Sequence, residues 1–325
     1  MKRGMGSKLA LATGSILVTL AVLAAGFEVT ENVRYRRWRA SFDNEGWIGR
    51  LTVASKNEAL LWEYRPYGDA GGVGTNRWGF RDVDYETPAK TPGVHRVAFI
   101  GDSVTLGMGV VPEDTFVGRV GTLAKAAGQR AQTLNFGVDG YNALQVRELL
   151  TAKVLAFQPD QVVYVLCLND FDFTDSSGRK IAYFRKPRFF LPQWLAQRYR
   201  ALRRGEFHRH HFQKHSHEVF GAIEDMRTVL AARNIGFLLV VVPVFPDRAG
   251  NAGYFDQYPL RDIHEGIRAF GAAKGIRTHD LLGDFRRQPP PPQRYLIDLW
   301  HLSAEGHRVV AEALYPDLFP PREKP

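Results

Sequence analysis

The chain has 325 residues, 45% of them hydrophobic and 24% charged, which excludes a disordered chain and leaves room for one large domain with appendages or two small ones. Its formal charge of +9 is local: Arg179–Lys214 holds eleven Lys/Arg and the single acid Glu206, so the remainder is about neutral, which excludes a uniformly basic, nucleic-acid-coating protein. The lone cysteine, Cys167, excludes an intramolecular disulfide and lies in an apolar run, as a buried inert thiol would.

In chain order, Lys2, Arg3 and Lys8 precede nineteen apolar-rich residues, Leu9–Phe27, just long enough to cross a bilayer. Residues 1–28 therefore read as a signal anchor, or as a signal peptide cleaved near Ala24-Ala25-Gly26. Either implies export, with the bulk of the chain facing the periplasm or the cell exterior. Residues 29–92 are irregular. Their Gly68–Gly74 stretch and Asn76-Arg77-Trp78-Gly79-Phe80-Arg81-Asp82 suggest an arm packing on the main domain or forming the rim of a cleft.

From residue 93 the pattern alternates. Strands are expected at Val94–Ile100, Gln132–Phe136, Gln161–Leu168, Gly236–Val242 and Ile276–Asp280. Helices are expected at Thr115–Ala127, Ala143–Phe157, Glu218–Arg233, Ile263–Ala273 and Ser303–Tyr315, the last opened by Ser303 as N-cap. Strands without polar alternation, separated by amphipathic helices, predict a parallel sheet covered on both faces: an α/β, three-layer αβα sandwich over residues 93–318.

Four short stretches fall at the predicted strand ends, where open α/β sheets place their chemistry. They are Gly101-Asp102-Ser103, Asn135–Tyr141, Cys167-Leu168-Asn169-Asp170 and Asp298-Leu299-Trp300-His301. Acyl transfer needs a nucleophile, a base, and donors aimed at a developing oxyanion. Ser103 supplies the first and His301 the second, with Asp298 three residues upstream to hold the imidazole. Gly140 offers an unobstructed backbone N–H and Asn169 a side-chain amide, and the Ser103 N–H completes a hole. Asp102 reads as a loop brace, and His307 as structural. Trp300 is either a pocket wall or loop packing.

With these four blocks in this order, the chain resembles the SGNH (GDSL-type) hydrolase superfamily, over about two thirds of its length. The matching residues are Ser103 within Gly101–Gly107, Gly140, Asn169, and Asp298 with His301, followed by His301–His307. The leader and Asn76–Asp82 are similar to those of membrane-anchored bacterial members. Cys167 stands where the third block usually has glycine. The resemblance implies a flavodoxin-like αβα fold, a Ser103 nucleophile with an Asp298–His301 pair, and an oxyanion hole from Ser103, Gly140 and Asn169. The Gly-x-Ser-x-Gly elbow of the α/β-hydrolases is absent, since position 105 is threonine.

The reading is thus a serine ester hydrolase, esterase or lipase-like, that removes acyl groups from a carbohydrate or lipid ester through an acyl-enzyme on Ser103. Two alternatives stay open: an O-acyltransferase acting on an envelope glycan, and a non-catalytic envelope-binding protein. This chemistry calls for no cofactor or metal, and no nucleic-acid partner is expected. The basic insert at 179–214 interleaves Phe184, Phe189, Phe190, Trp194, Tyr199 and Phe207 with its cations. It suits a membrane interface, an anion-attracting cleft lining, or a solvated helical excursion. The run His208–His217 offers imidazoles for Zn²⁺, but the adjacent arginine and lysine would repel the ion and no cysteine or carboxylate is expected to join as a ligand.

Overall fold

The computed structural model describes residues 3–45, 50–173, 188–192, 194–195, 198, 204–245, 253–298 and 300–320. The chain opens with helix α1 (Arg3–Glu45), which continues well past the apolar stretch and through residue 28. Two small antiparallel pairs follow, β1 (Thr52–Ala54) with β2 (Trp62–Tyr64) and β3 (Asp69–Ala70) with β4 (Val73–Gly74). Their apolar residues Leu51, Leu60, Trp62, Tyr64, Val73 and Phe80 join the same core as the main sheet.

That sheet is built from β5 (His95–Gly101), β6 (Ala131–Gly137), β7 (Gln161–Leu166), β8 (Gly236–Val241) and β9 (Arg277–Asp280), in the spatial order β6-β5-β7-β8-β9, all parallel. Every residue of β7 is buried, as the absence of alternation predicts for a strand covered on both faces. Helix α2 is only Ser103–Leu106, and α3 is Phe116–Ala126. Next come α4 (Ala143–Ala152), α5 (Arg204–Ala231), α6 (Arg261–Ala273), α7 (Leu282–Arg286) and α8 (Ala304–Leu318). Helices α3 and α8 pack together on one face, while α4, α5 and α6 cover the other. This is the three-layer αβα fold. The strand order reverses direction at β5, so a crevice opens between the carboxyl ends of β5 and its neighbours.

Several element boundaries differ from the sequence reading, and three of these differences have a clear physical reason. The helix expected at Ala143–Phe157 ends at Ala152 and continues as a 3₁₀ turn, Val154–Phe157, closed by left-handed Gln158 ahead of Pro159. Strand β7 stops at Leu166, because Cys167 caps a 3₁₀ turn, Leu168–Phe171. Helix α5 starts at Arg204 rather than Glu218. Its early turns bury His208 and His211 instead of aliphatic residues, so no apolar periodicity announces them. Carboxylates do stand beside the histidine run: Asp172 faces His211 at 3.6 Å and Glu218 faces His215 at 3.7 Å. Among the described residues, no group of three or more His, Cys, Asp or Glu is arranged to hold a metal ion.

Much of the basic insert, including Phe184 and Tyr199, lies outside the described residues. Within them, the Glu28 carboxylate on α1 accepts the backbone N–H groups of Phe190 and Leu191 at 2.9 and 2.8 Å. Phe27 and Tyr35 of α1 meet Trp194 and Phe190, with ring centroids 5.5 and 5.7 Å apart.

Candidate active site

Strand β5 ends at Gly101, whose φ of 157° and surroundings admit only glycine. A Cβ there would lie 2.3 Å from the Thr105 hydroxyl and 2.8 Å from the Val165 carbonyl. The chain then turns directly into α2. Asp102 is its N-cap, accepting the Val104 N–H at 2.9 Å, and Ser103 is its first residue. A serine here stands half-buried at the mouth of the crevice.

The imidazole arrives from the loop that precedes α8. Leu296 and Leu302 form an antiparallel bridge, and the Ile297 N–H donates to the His301 carbonyl at 2.9 Å, so residues 296–302 make a closed turn. Inside it, one Asp298 oxygen accepts the N–H groups of Trp300 and His301 at 2.8 and 2.9 Å. The other oxygen meets His301 Nδ1 at 2.8 Å, and His301 Nε2 lies 3.0 Å from Ser103 Oγ. Partial burial acts to raise the Asp298 pKa, but the His301 ring and these two backbone donors outweigh it and hold the carboxyl below its ordinary range. Ser103, His301 and Asp298 thus form one hydrogen-bonded chain across 198 residues of sequence.

The donors expected to complete the site stand at the neighbouring strand ends. Gly140, with φ of 75°, lies in the turn after β6. That turn is braced from the arm, because the Tyr64 hydroxyl donates to the Asp139 carboxylate and accepts the Asp139 N–H at 3.2 Å. Asn169 sits in the turn after β7, and its Nδ2 donates to Asp102 Oδ2 at 2.9 Å. Asp102 therefore braces more than its own loop. It links the turn bearing Ser103 to the turn bearing Asn169 and orients the amide with its NH₂ toward that carboxylate. Burial pushes the Asp102 carboxyl up, opposed by the hydrogen bonds from Asn169 and Val104.

Cys167 is buried 3.5 Å from Asp102, and desolvation drives its thiol pKa well up, which fits an inert thiol. His307 is fully buried. Its Nδ1 accepts the Phe116 N–H at 3.1 Å, and burial lowers its pKa to about 3, so it is a neutral acceptor at the start of α3. Trp300 is partly exposed and packs edge-on against His208 of α5, with ring centroids 5.5 Å apart.

The sequence reading missed how the arm reaches this site. Arg81 is buried and donates to the carbonyls of Leu106, Gly107 and Val110, all just downstream of Ser103. Asp82 accepts the Asn135 N–H at 2.9 Å, and burial raises its pKa to about 7. The available signal was the density of Asn, Gly, Arg and Asp in Asn76–Asp82, a composition that a packing arm does not need.

A model of the GDSL-like lipase/acylhydrolase family matches residues 99–309, which contain the three stretches that follow β5, β6 and β7 and also Asp298–His301, which the structure places in the loop before α8 rather than at a strand end. No curated protein matches the chain. Among solved structures, an acetylxylan esterase from Geobacillus stearothermophilus, crystallised as a catalytic mutant, is similar at 18% identity, covering 69% of this chain and 94% of that one (TM-score 0.46). A lipase/acylhydrolase from Enterococcus faecalis is similar at 17% identity, covering 69% and 95% (TM-score 0.45). With the family model spanning well over half its length, the chain belongs to the GDSL-like lipase/acylhydrolase family and is an enzyme acting on ester bonds.

Proposed function

We propose that Ser103 is the nucleophile, His301 the general base, and Asp298 the group that fixes the imidazole tautomer. The observation that carries this reading is the continuous pair of hydrogen bonds from Ser103 Oγ through His301 to Asp298. His301 Nε2 takes the Ser103 proton as Oγ attacks the ester carbonyl, and it returns that proton to the departing alcohol. The carbonyl oxygen becomes an oxyanion, met by the backbone N–H groups of Ser103 and Gly140 and by the Asn169 hydrogen not given to Asp102. Water, deprotonated by His301, then attacks the acyl-enzyme, releases the acid and frees Ser103.

The substrate is an acylated carbohydrate or lipid of the cell envelope, and the enzyme is held at a membrane by α1. Supporting this, the segment Leu11–Arg37 is long and apolar enough to cross a bilayer. Its large aliphatic side chains from Leu11 to Val29 are exposed, an apolar surface that the described residues leave uncovered and that lipid would cover. The catalytic domain would face the periplasm or the cell exterior. The exposed rings of Phe189 and Trp194, stacked under Arg188 and Arg198 and carried beside α1, would meet the membrane interface.

The test is turnover of p-nitrophenyl esters of increasing chain length by wild type and Ser103→Ala. Wild-type hydrolysis, with loss of at least about 10³-fold in the variant, is expected. Equal turnover by the two would remove Ser103 from the chemistry.

A further inference from the structure

The helix bearing Ser103 is four residues long, too short to hold its own shape, since a first helical turn fixes several dihedrals for one hydrogen bond. Something outside it must set where Oγ points. The carbonyls at its carboxyl end show what does. Thr105 O accepts Asn135 Nδ2 at 2.9 Å, Leu106 O accepts Arg81 Nη1 at 3.0 Å, and Gly107 O accepts the same Nη1 at 2.6 Å. The Arg81 Nη2 group continues to the Val110 carbonyl. The peptide that Arg81 holds through Gly107 O carries the Met108 N–H, which donates back to the Ser103 carbonyl at 3.2 Å, beside the Gly107 N–H at 3.1 Å. The guanidinium is therefore one peptide away from the Ser103 backbone.

Arg81 is itself placed by a rigid loop. The Asn76 side chain accepts the N–H groups of Trp78 and Phe80 at 2.9 and 3.1 Å and donates to the Val83 carbonyl at 3.1 Å. Asp82, next in sequence, accepts the Asn135 N–H, and Asn135 Oδ1 takes the Gly137 N–H at 2.9 Å while its amide holds Thr105. Among the described residues, no carboxylate lies within ion-pair distance of Arg81, so its charge is spent on backbone carbonyls alone. A buried guanidinium must have its donors met, and here the partners that meet them are all carbonyls of the turn that follows Ser103.

We propose that Arg81 is a positioning residue for catalysis: through the Leu106, Gly107 and Val110 carbonyls it sets the Ser103 turn for attack, with Asp82 and Asn135 holding the opposite side. The clamp comes from an arm outside residues 99–309, the part the family model matches, so it is a device added to the hydrolase domain. It rests on the reading of Ser103 as nucleophile.

The test is the rate at which a fluorophosphonate modifies Ser103 in the full-length protein, measured beside kcat, KM and thermal midpoint for Arg81→Lys, Arg81→Ala and Arg77→Ala. Phosphonylation reports the nucleophile directly, without acyl-enzyme breakdown. Displacement of a reacting atom by about 1 Å can cost ~10²-fold, so Arg81→Ala is expected to fall by about that factor in both phosphonylation and kcat, with KM within about threefold. Arg81→Lys, which keeps the charge but lacks the fork, should lie between. Millimolar guanidinium should restore part of the Arg81→Ala rate and leave wild type unchanged. Arg77→Ala, whose side chain pairs with Asp84 at the surface, should behave as wild type. Should Arg81→Ala fail to fold, Arg81→Lys decides. A folded Arg81→Lys modified at the wild-type rate overturns the clamp while leaving the nucleophile in place. Loss in Arg81→Ala that neither lysine nor guanidinium recovers assigns Arg81 to the fold alone. Wild type that is never modified overturns the nucleophile itself, and the clamp with it.

Discussion

Asp298 does two jobs with its two oxygens. One closes the 296–302 turn through the Trp300 and His301 N–H groups, and the other faces His301 Nδ1. Asn at this position would keep an acceptor for the turn but present an NH₂ to Nδ1, which drives the proton to Nε2 and blocks acceptance from Ser103. Asp298→Asn should therefore lower kcat by roughly 10²–10⁴-fold with an unchanged thermal midpoint, measured on the same p-nitrophenyl esters. On the proposed reading, Asn169→Ala removes one oxyanion donor and should cost about 10²–10³-fold in kcat with little change in KM. A loss confined to KM would place Asn169 in substrate binding instead. Ser103, Gly140 and Asn169 were legible because they follow predicted strand ends, and Asp298 with His301 because of their spacing of three; in the structure that pair lies in the loop before α8, well past the end of β9. The bond that ties Asn169 to Asp102 was not legible. Nothing local to Asp102 shows that its second oxygen belongs to Asn169, 67 positions away.

At the scale of elements, what could be read from the chain depended on how burial is expressed. Strands β5, β7 and β8 carry continuous buried apolar runs, each fully buried Val, Ile or Phe contributing about 1.5–3 kcal/mol, and their positions follow from that pattern, whereas β6 and the edge strand β9 mix in polar residues. The start of α5 was hidden because its buried face is made of histidines, and the ladder of small strands between Thr52 and Gly74 because two- and three-residue strands have no period to detect.

Helix α8 offers a prediction of its own. His307, its buried neutral acceptor, has a pKa near 3 in the fold against about 6.5 when unfolded, so the unfolded chain binds the extra proton between those values. Its contribution is complete above pH 6.5 and falls as pH drops toward 3, at up to about 1.4 kcal/mol per pH unit. His307→Gln, which keeps an acceptor for the Phe116 N–H but cannot titrate, should flatten the decline of stability between pH 6.5 and 4 relative to wild type, as measured by urea unfolding. Parallel curves for the two proteins would show that His307 is not held neutral.

The whole molecule joins three parts that the sequence separates. The sheet carries the strand-end chemistry, the arm reaches under it with Arg81 and Tyr64, and α1 leaves an apolar surface exposed from Leu11 to Val29. Length and apolarity made the leader readable, and strand-helix alternation made the central domain readable. The arm's purpose was not readable, since Arg81 acts on carbonyls some 25 to 29 residues away. If α1 spans a bilayer, two charges near its middle should defeat insertion, at about 2.5–3.5 kcal/mol each. Leu17→Arg combined with Leu20→Arg should move the protein from the carbonate-resistant membrane fraction to the soluble one. Continued resistance to extraction would place the membrane contact elsewhere.

The central claim is that ester cleavage passes through Ser103, and the most direct measurement is the mass of the protein trapped during turnover. Acid quenching with a slow acyl ester, followed by proteolysis and mass spectrometry, should find one acyl group on the peptide carrying Ser103 and none in Ser103→Ala. Turnover with that peptide unmodified, and undiminished in Ser103→Ala, would contradict the account.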